Sequence, residues 1–340
     1  MENKDIENEL LFEMQNSFPM TEKPFEALAK TLNITESEVL SMVKKLKDEK
    51  IIRQTSAIFD TKRLGYKSSL VAFKVDEDKV DEAARIINAH PGVSHNYLRN
   101  HDYNIWFTMA VSPDSKLGLE KTIEILKART GATDAITLPT LKMFKISVKM
   151  DTTGKRAKKE KLKKLAHKDI VLTARHVVVI KALQQDIEII SEPFKKAIEK
   201  LNLNYEEFFN LAHELKESGV MRRFATILNH RKAGFGANAM SVWVVPEDKG
   251  EQIGKEMAEF SAVSHCYLRP SYPNWPYNLF AMVHAKTQEE CDTLIEEMAK
   301  ESGLTEYGKL YSTVEFKKQR LVYFDDAFQK WEEDALIQSA

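Results

Sequence analysis

Two short stretches of this chain carry residues that could do proton chemistry on an anion. The first is Val93-Ser-His-Asn-Tyr-Leu-Arg-Asn-His-Asp-Tyr-Asn-Ile-Trp-Phe107. The second is Val263-Ser-His-Cys-Tyr-Leu-Arg269, followed by Pro270-Ser-Tyr-Pro-Asn-Trp-Pro-Tyr-Asn-Leu-Phe280. In a strand, successive side chains point to opposite faces. His95, Tyr97 and Arg99 then share one face with Val93, and His265, Tyr267 and Arg269 form the same row in the second copy. Such a row sets a proton donor, a hydroxyl and a fixed cation side by side, which suits an anionic substrate that gains or loses a proton. One row alone reads more simply as an exposed polar strand face. Its return in the same register, beside aromatic residues, points to a site.

The elements around these rows are duplicated too. Pro24-Phe25 returns as Pro193-Phe194, Leu32-Asn33 as Leu201-Asn202, and Ile52-Arg53 as Met221-Arg222. Glu77-Asp78-Lys79 returns as Glu247-Asp248-Lys249, and Tyr103-Asn104 as Tyr277-Asn278. The spacing between copies widens just after Arg269, so the second copy carries a four-residue insertion there. Each half opens with helices. Ile6, Leu10, Leu11 and Met14 have helical spacing over residues 5–15, and a short helix is expected over 24–31. Thr35-Glu-Ser-Glu38 is a capping-box pattern before Val39, Leu40, Val43 and Leu46, and Asn204-Tyr-Glu-Glu207 starts its counterpart. Followed by Ile51-Ile-Arg53, this reads as a winged helix-turn-helix.

The later part of each half alternates strand and helix. Strands are expected over residues 67–75, 93–99, 104–111 and 136–150, with helices over 78–89 and 116–130. That βαββαβ order is the ferredoxin-like pattern. The fold class is therefore α+β, with two tandem copies of a winged helix-turn-helix plus a ferredoxin-like domain. The expected boundaries are 1–62 and 63–152 for the first half, 153–170 for a basic linker, 171–232 and 233–325 for the second half, and 326–340 for a tail. The linker is read as a solvated connection or surface helix rather than a nucleic-acid arm, because it lacks aromatic residues.

Composition narrows the class further. The chain has 340 residues, 43% hydrophobic and 30% charged, with a formal net charge of −1. That balance gives no global attraction to nucleic acid. The two cysteines, Cys266 and Cys291, form no CxxC pair, which fits a reducing compartment. No apolar run approaches a membrane span, and the acidic N-terminus lacks the apolar core of a signal peptide. A cytoplasmic protein with no membrane partner is expected.

Helix-turn-helix followed by a ferredoxin-like domain resembles the layout of the Lrp/AsnC regulators, which implies DNA binding with a small-molecule sensor. The helix residues speak against that reading. Glu36 and Glu38, and Glu206 and Glu207, stand where a recognition helix would meet phosphate. A more specific resemblance covers nearly the whole chain. Ile51-Ile-Arg-Gln-Thr-Ser-Ala-Ile-Phe-Asp-Thr-Lys-Arg-Leu-Gly-Tyr66 and the stretch from Val93 resemble one subunit type of sirohaem decarboxylase. Met221-Arg-Arg-Phe224 and the stretch from Val263 resemble the partner subunit type. The resemblance implies a fusion of two subunits that elsewhere form a heterodimer. The family removes the acetate carboxyls at C12 and C18 of sirohaem, giving 12,18-didecarboxysirohaem for haem d1 or for haem b by the alternative route. By analogy with the regulators, the fused halves would pair as an intramolecular pseudo-dimer with ligand near their interface. Whether two such chains associate further stays open.

The residues can be matched to that chemistry. Arg99 and Arg269, with Arg222 and Arg223, supply cations for a polycarboxylate. Tyr103, Trp106, Trp275 and Tyr277 could wall a flat macrocycle, although Trp106 in mid-strand reads better as core. Decarboxylation of a pyrrole acetate needs an electron sink, which protonation of the neighbouring ring carbon provides. His95, His101 and His265 are the candidate acids, with Tyr97 and Tyr267 orienting or relaying. His101 has no counterpart in the second half, so the two sites cannot be chemically identical. His90 reads as a helix end, and His213, His230 and His284 as structural. No thiamine, pyridoxal or flavin signature is present, no metal ligands are singled out, and no added cofactor is expected, since iron belongs to the substrate. The alternative readings are a non-catalytic tetrapyrrole carrier or sensor, and the DNA-binding regulator.

Overall fold

A computed structural model describes residues 3–16, 18–146, 168–229 and 237–337. The first half runs α1 (Asn3–Asn16), α2 (Pro24–Leu32), α3 (Glu36–Asp48), β1 (Ile52–Phe59), β2 (Lys67–Lys74), α4 (Val80–Asn88), β3 (Val93–Arg99), β4 (Ile105–Val111), α5 (Gly118–Thr130), β5 (Asp134–Leu138) and β6 (Lys142–Ile146). The second runs α6 (Ala174–Leu183), α7 (Lys195–Lys200), α8 (Tyr205–Glu217), β7 (Met221–Leu228), β8 (Ala237–Trp243), α9 (Gly250–Glu259), β9 (Val263–Leu268), β10 (Leu279–Ala285), α10 (Gln288–Ser302), β11 (Tyr307–Lys318) and α11 (Ala327–Ile337). These elements group into two compact units, and each unit draws on both halves.

The first unit holds both helix-turn-helix segments, up to residue 64 and from 168 to 229. The repeated Leu-Asn pairs have a local cause: Asn33 and Asn202 both take positive φ, 55° and 52°, just after a helix. Asparagine tolerates that left-handed turn better than most residues. Thr35 and Glu38 complete the capping box that opens α3, and the Asn204 side chain accepts the Glu207 N–H at the start of α8. β1 and β7 pair antiparallel, with the Thr55 and Thr226 hydroxyls 2.7 Å apart at the centre. Phe224 on β7 packs on Phe18 from the first half and on Phe194 from the second. The basic segment expected over 153–170 lies almost wholly outside the described residues, as does His230.

The second unit is built on one nine-stranded sheet in the order β5-β2-β4-β3-β11-β8-β10-β9-β6. Within each half the order is last, first, third, second, as a ferredoxin-like sheet requires. α4 and α5 cover one core, around Val71, Phe73, Ile87, Phe107 and Leu126; α9 and α10 cover another, around Trp243, Met257, Cys266 and Ile295. A third core, on the opposite sheet face, mixes both halves: Trp106, Ile136 and Leu138 meet Val242, Trp275, Phe280 and Leu310.

Of the strand expected over residues 136–150, 147–150 lie outside the described residues, and the rest is instead two strands, β5 and β6, parted at Pro139. Proline has no N–H to give to a ladder. The consequence is an exchange: β5 pairs with β2 of its own half, while β6 pairs with β9 of the other. β11 makes the same exchange without a break, pairing with β8 and then with β3. Two lysines fasten the exchange. Lys317 Nζ donates to the Asn88 carbonyl at the end of α4 (2.7 Å), and Lys145 Nζ donates to the Phe260 carbonyl just past α9 (2.9 Å). Cations suit both helix C-termini.

The tail expected over 326–340 contains a packed helix. Glu332 of α11 accepts from Ser115 Oγ and from the Lys116 and Leu117 N–H groups ahead of α5. Trp331 lies 4.2 Å, centroid to centroid, from the ring of His90.

Candidate active site

Each His-Tyr-Arg row sits on a strand that begins with a bulge. Val93 faces Met109 and His95 faces Thr108, so Ser94 is the extra residue; Val263 faces Val283 and His265 faces Met282, so Ser264 is its counterpart. A bulge shifts the alternation by one residue. Val93 therefore turns into the core under α4 and α5, away from His95, Tyr97 and Arg99, which corrects the expectation that all four share a face. The rows themselves hold. The ring centroids of His95 and Tyr97 are 6.2 Å apart, and those of His265 and Tyr267 are 6.1 Å apart. The guanidinium carbon lies 5.6 Å from the Tyr97 ring in one row and 4.9 Å from the Tyr267 ring in the other.

The arginines are the unusual members. Arg99 is 5% exposed and Arg269 is 8% exposed, and neither forms an ion pair among the described residues. Arg99 donates to the Leu310 carbonyl on β11 (2.8 Å) and Arg269 to that of Leu138 on β5, so each is fastened to a strand of the opposite half. The Nε of each has no hydrogen-bond partner. Burial pushes both down to about 10, which still leaves them charged at neutral pH. A buried cation without a counter-ion is costly, and an arriving carboxylate relieves that cost.

The positions behind the arginines explain another repeat. The Arg99 N–H donates to the Asn104 carbonyl and the Arg269 N–H to that of Asn278, both at 2.8 Å. The Asn104 side chain clamps the backbone of Val75, and Asn278 clamps Val245 in the same way. Only the repeated Tyr-Asn pair hinted at this pair of supports. Ser94 holds His95 Nδ1 at 3.0 Å and Ser264 holds His265 Nδ1 at 2.7 Å. Both serines were legible as repeats, but not as the residues that fix the imidazoles.

Other expected site residues fall elsewhere. His101 lies beyond the far end of β3, on the order of 15–20 Å from His95 by strand rise. Its Nδ1 accepts the Tyr103 N–H (3.1 Å), its ring meets that of Trp275 at 5.1 Å, and burial lowers its pKa. It is thus a ring packed on tryptophan, not a partner of His95. Trp275 is 0% exposed and packs among Trp106, Tyr103 and Phe280, so it is core rather than pocket wall. Trp106 is core as well. Tyr277 is half-buried against Trp275, with centroids 5.0 Å apart. Arg222 and Arg223 lie on β7 in the other unit, and Arg222 is already paired with Asp60 at 2.7 Å. His90 is a buried ring beyond α4, His213 is exposed, and His284 reaches the site through Ser264. Among the described residues, no group of three or more His, Cys, Asp or Glu converges to hold a metal, and no helix is long and apolar enough to cross a membrane.

Comparison with known proteins assigns both units. Residues 63–145 and 232–317 match the AsnC-like ligand binding domain, and residues 7–53 match the Siroheme decarboxylase NirDL-like HTH domain. The Siroheme decarboxylase of Hydrogenobacter thermophilus is 41% identical, over 94% of this chain and 95% of that protein. The Siroheme decarboxylase beta subunit of Methanosarcina barkeri is 42% identical over 42% of this chain and 93% of its own length, as one half of a fusion would be. A crystal structure of the siroheme decarboxylase NirDL in complex with an iron-uroporphyrin III analogue superposes with a TM-score of 0.78, at 35% identity, over 99% of this chain and all of that one. With a relative this similar over nearly its full length, and with two His-Tyr-Arg rows on one sheet, the chain belongs to the sirohaem decarboxylase family.

Proposed function

We propose that this chain is a carboxy-lyase that removes the C12 and C18 acetate carboxyls of sirohaem, giving 12,18-didecarboxysirohaem for haem formation. One observation carries the reading: two buried arginines that have no acidic partner among the described residues, each beside a tyrosine and a histidine, on one face of a shared sheet. A macrocycle edged with carboxylates supplies the missing counter-ions. The arginine fork binds a carboxylate in two places and so fixes the ring as well as its charge.

The chemistry then needs one proton per acetate. His95 or His265 delivers it from Nε2 to the pyrrole carbon next to the one bearing the acetate, which makes the ring an electron sink, since Nδ1 is occupied by serine. The C–C bond to the carboxylate breaks, carbon dioxide leaves, and the bonding pair forms an exocyclic double bond to the ring. The imidazole then moves the added proton from the ring carbon to that methylene carbon, which restores the aromatic ring. The acetate becomes a methyl group, and no electrons are gained or lost. Tyr97 and Tyr267, between histidine and arginine, orient the substrate edge. β3 and β9 are four strand spacings apart along the sheet, on the order of 19 Å. Each row has its own acid and cation, so we assign one carboxyl loss to each. The iron stays with the substrate throughout, and the reaction calls for no added cofactor.

The test is anaerobic incubation of the purified protein with sirohaem, followed by mass spectrometry of the pigment. Loss of the mass of two carbon dioxide molecules is the expected result. Sirohaem that remains bound but unchanged would make the protein a carrier instead.

A further inference from the structure

His284 sits on β10, the strand beside β9, on the same sheet face as His265. The Ser264 hydroxyl lies between them, 2.7 Å from His265 Nδ1 and 2.7 Å from His284 Nε2. A hydroxyl carries one proton, so it donates to one ring while accepting from the other. The protonation states of the two imidazoles are thereby coupled.

The first half has the serine but not the second imidazole. Ser94 holds His95 Nδ1, and its other contact is the Thr108 hydroxyl at 2.7 Å. The register aligns Thr108 with Met282 and Ala110 with His284. One row thus ends in a hydroxyl, which takes up no proton at neutral pH, and the other in a titratable ring. Ser264 is buried, whereas His284 keeps partial contact with solvent.

We propose that His284 is a positioning and proton-supplying residue for the second-half site, acting on His265 through Ser264. The inference rests on the decarboxylase reading above. As His265 passes its Nε2 proton to the ring carbon, the Ser264 proton moves to His265 Nδ1 and the proton on His284 Nε2 moves to Ser264 Oγ. The protonated His284 ring becomes neutral, and the substrate gains the proton that replaces carbon dioxide. After product leaves, His265 Nε2 takes a proton from water, and its Nδ1 proton returns through Ser264 to His284. One proton from solvent is consumed per carboxyl lost. The relay spares His265 from being left as an anionic imidazolate when its Nε2 proton goes to the covered substrate.

The experiment uses the full chain with sirohaem under anaerobic conditions and resolves the mono-decarboxylated pigment from the fully processed one. In His284→Gln, one of the two carboxyl losses slows by roughly ten- to a hundred-fold at unchanged KM, so mono-decarboxylated pigment accumulates. Ser264→Ala produces the same block, and adding His284→Gln to it costs nothing further, because both variants cut one chain. In His284→Ala, free imidazole in the buffer restores much of the lost rate. Wild-type rates for both losses in His284→Gln would overturn the relay while leaving the decarboxylase reading intact. Equal slowing of both losses, without imidazole rescue in His284→Ala, would overturn it too, since a merely structural role behaves that way. If the wild-type chain itself releases no carbon dioxide, the reading beneath the relay fails as well.

Discussion

At the scale of single residues, the arginines set ligand binding against stability. Arg99 and Arg269 are buried cations held by backbone carbonyls and aromatic rings, Tyr97 for the first and Tyr267 with Phe280 for the second. Replacing such a charge with an apolar side chain of similar length removes a desolvation cost as well as a hydrogen bond. Arg99→Met and Arg269→Met are therefore expected to change stability by no more than about 1 kcal/mol, yet to weaken sirohaem binding about a hundred-fold. Thermal melts and absorbance titrations measure the two effects. A large fall in stability with unchanged binding would make the arginines structural. His90 acts in the opposite way. Burial, with the charge of Lys317, pushes its pKa down to about 3, against about 6.5 in an unfolded chain. The unfolded chain then binds the extra proton between those values, so the contribution is complete above pH 6.5 and is lost as pH falls towards 3. Between pH 7 and pH 5 the loss is about 2 kcal/mol. Urea melts at the two pH values should show that this part of the acid sensitivity is absent in His90→Gln. The residue rows were legible in the sequence because they occur twice. The bulges were not, since Ser94 looks like any other polar strand residue and its extra step shows only in pairing with β4.

At the scale of elements, local signals were readable and partners were not. The capping box at Thr35, the Leu-Asn turns and the βαββαβ order all follow from short-range chemistry. Which strand lies beside which does not. Period-two alternation tells a strand its face, not its neighbour. Nothing in Lys142-Met-Phe-Lys-Ile146 states that it pairs with β9 rather than extending β5 on its own sheet. Pro139 offered the hint, as a residue ill-suited to the middle of a long strand. Gly254 tests the seating of that exchanged strand. A Cβ there would lie 2.2 Å from the Phe144 ring, which β6 lays over α9. Gly254→Ala should cost about 1–3 kcal/mol by overpacking, and Phe144→Leu in the same chain should recover part of it. Thermal unfolding of the single and double variants decides this. A double variant less stable than either single one would show that the ring and the helix do not compete for that space.

At the scale of the whole molecule, the two halves complete one another within each compact unit. β1 needs β7, β3 is flanked by β11, and β9 is flanked by β6. Arg99 is held by Leu310 and Arg269 by Leu138, so each row gains its cation geometry from the other half. Lys145 and Lys317 cap helices across the same divide. A half alone would expose unpaired strand edges, which invite aggregation, and would leave its arginine without its carbonyl. Segments 1–152 and 171–340, produced as separate chains, are therefore expected to co-purify when co-expressed and to aggregate when expressed singly. The mixed chains should also recover sirohaem turnover that neither segment shows alone. The covalent join would then serve mainly to raise the effective concentration of one half for the other. Size-exclusion chromatography of each segment and of the pair, followed by pigment mass spectrometry, measures both outcomes. Soluble, folded single segments that do not bind one another would mean that each half closes its own sheet. The cross-half arginine contacts would then be incidental to the site.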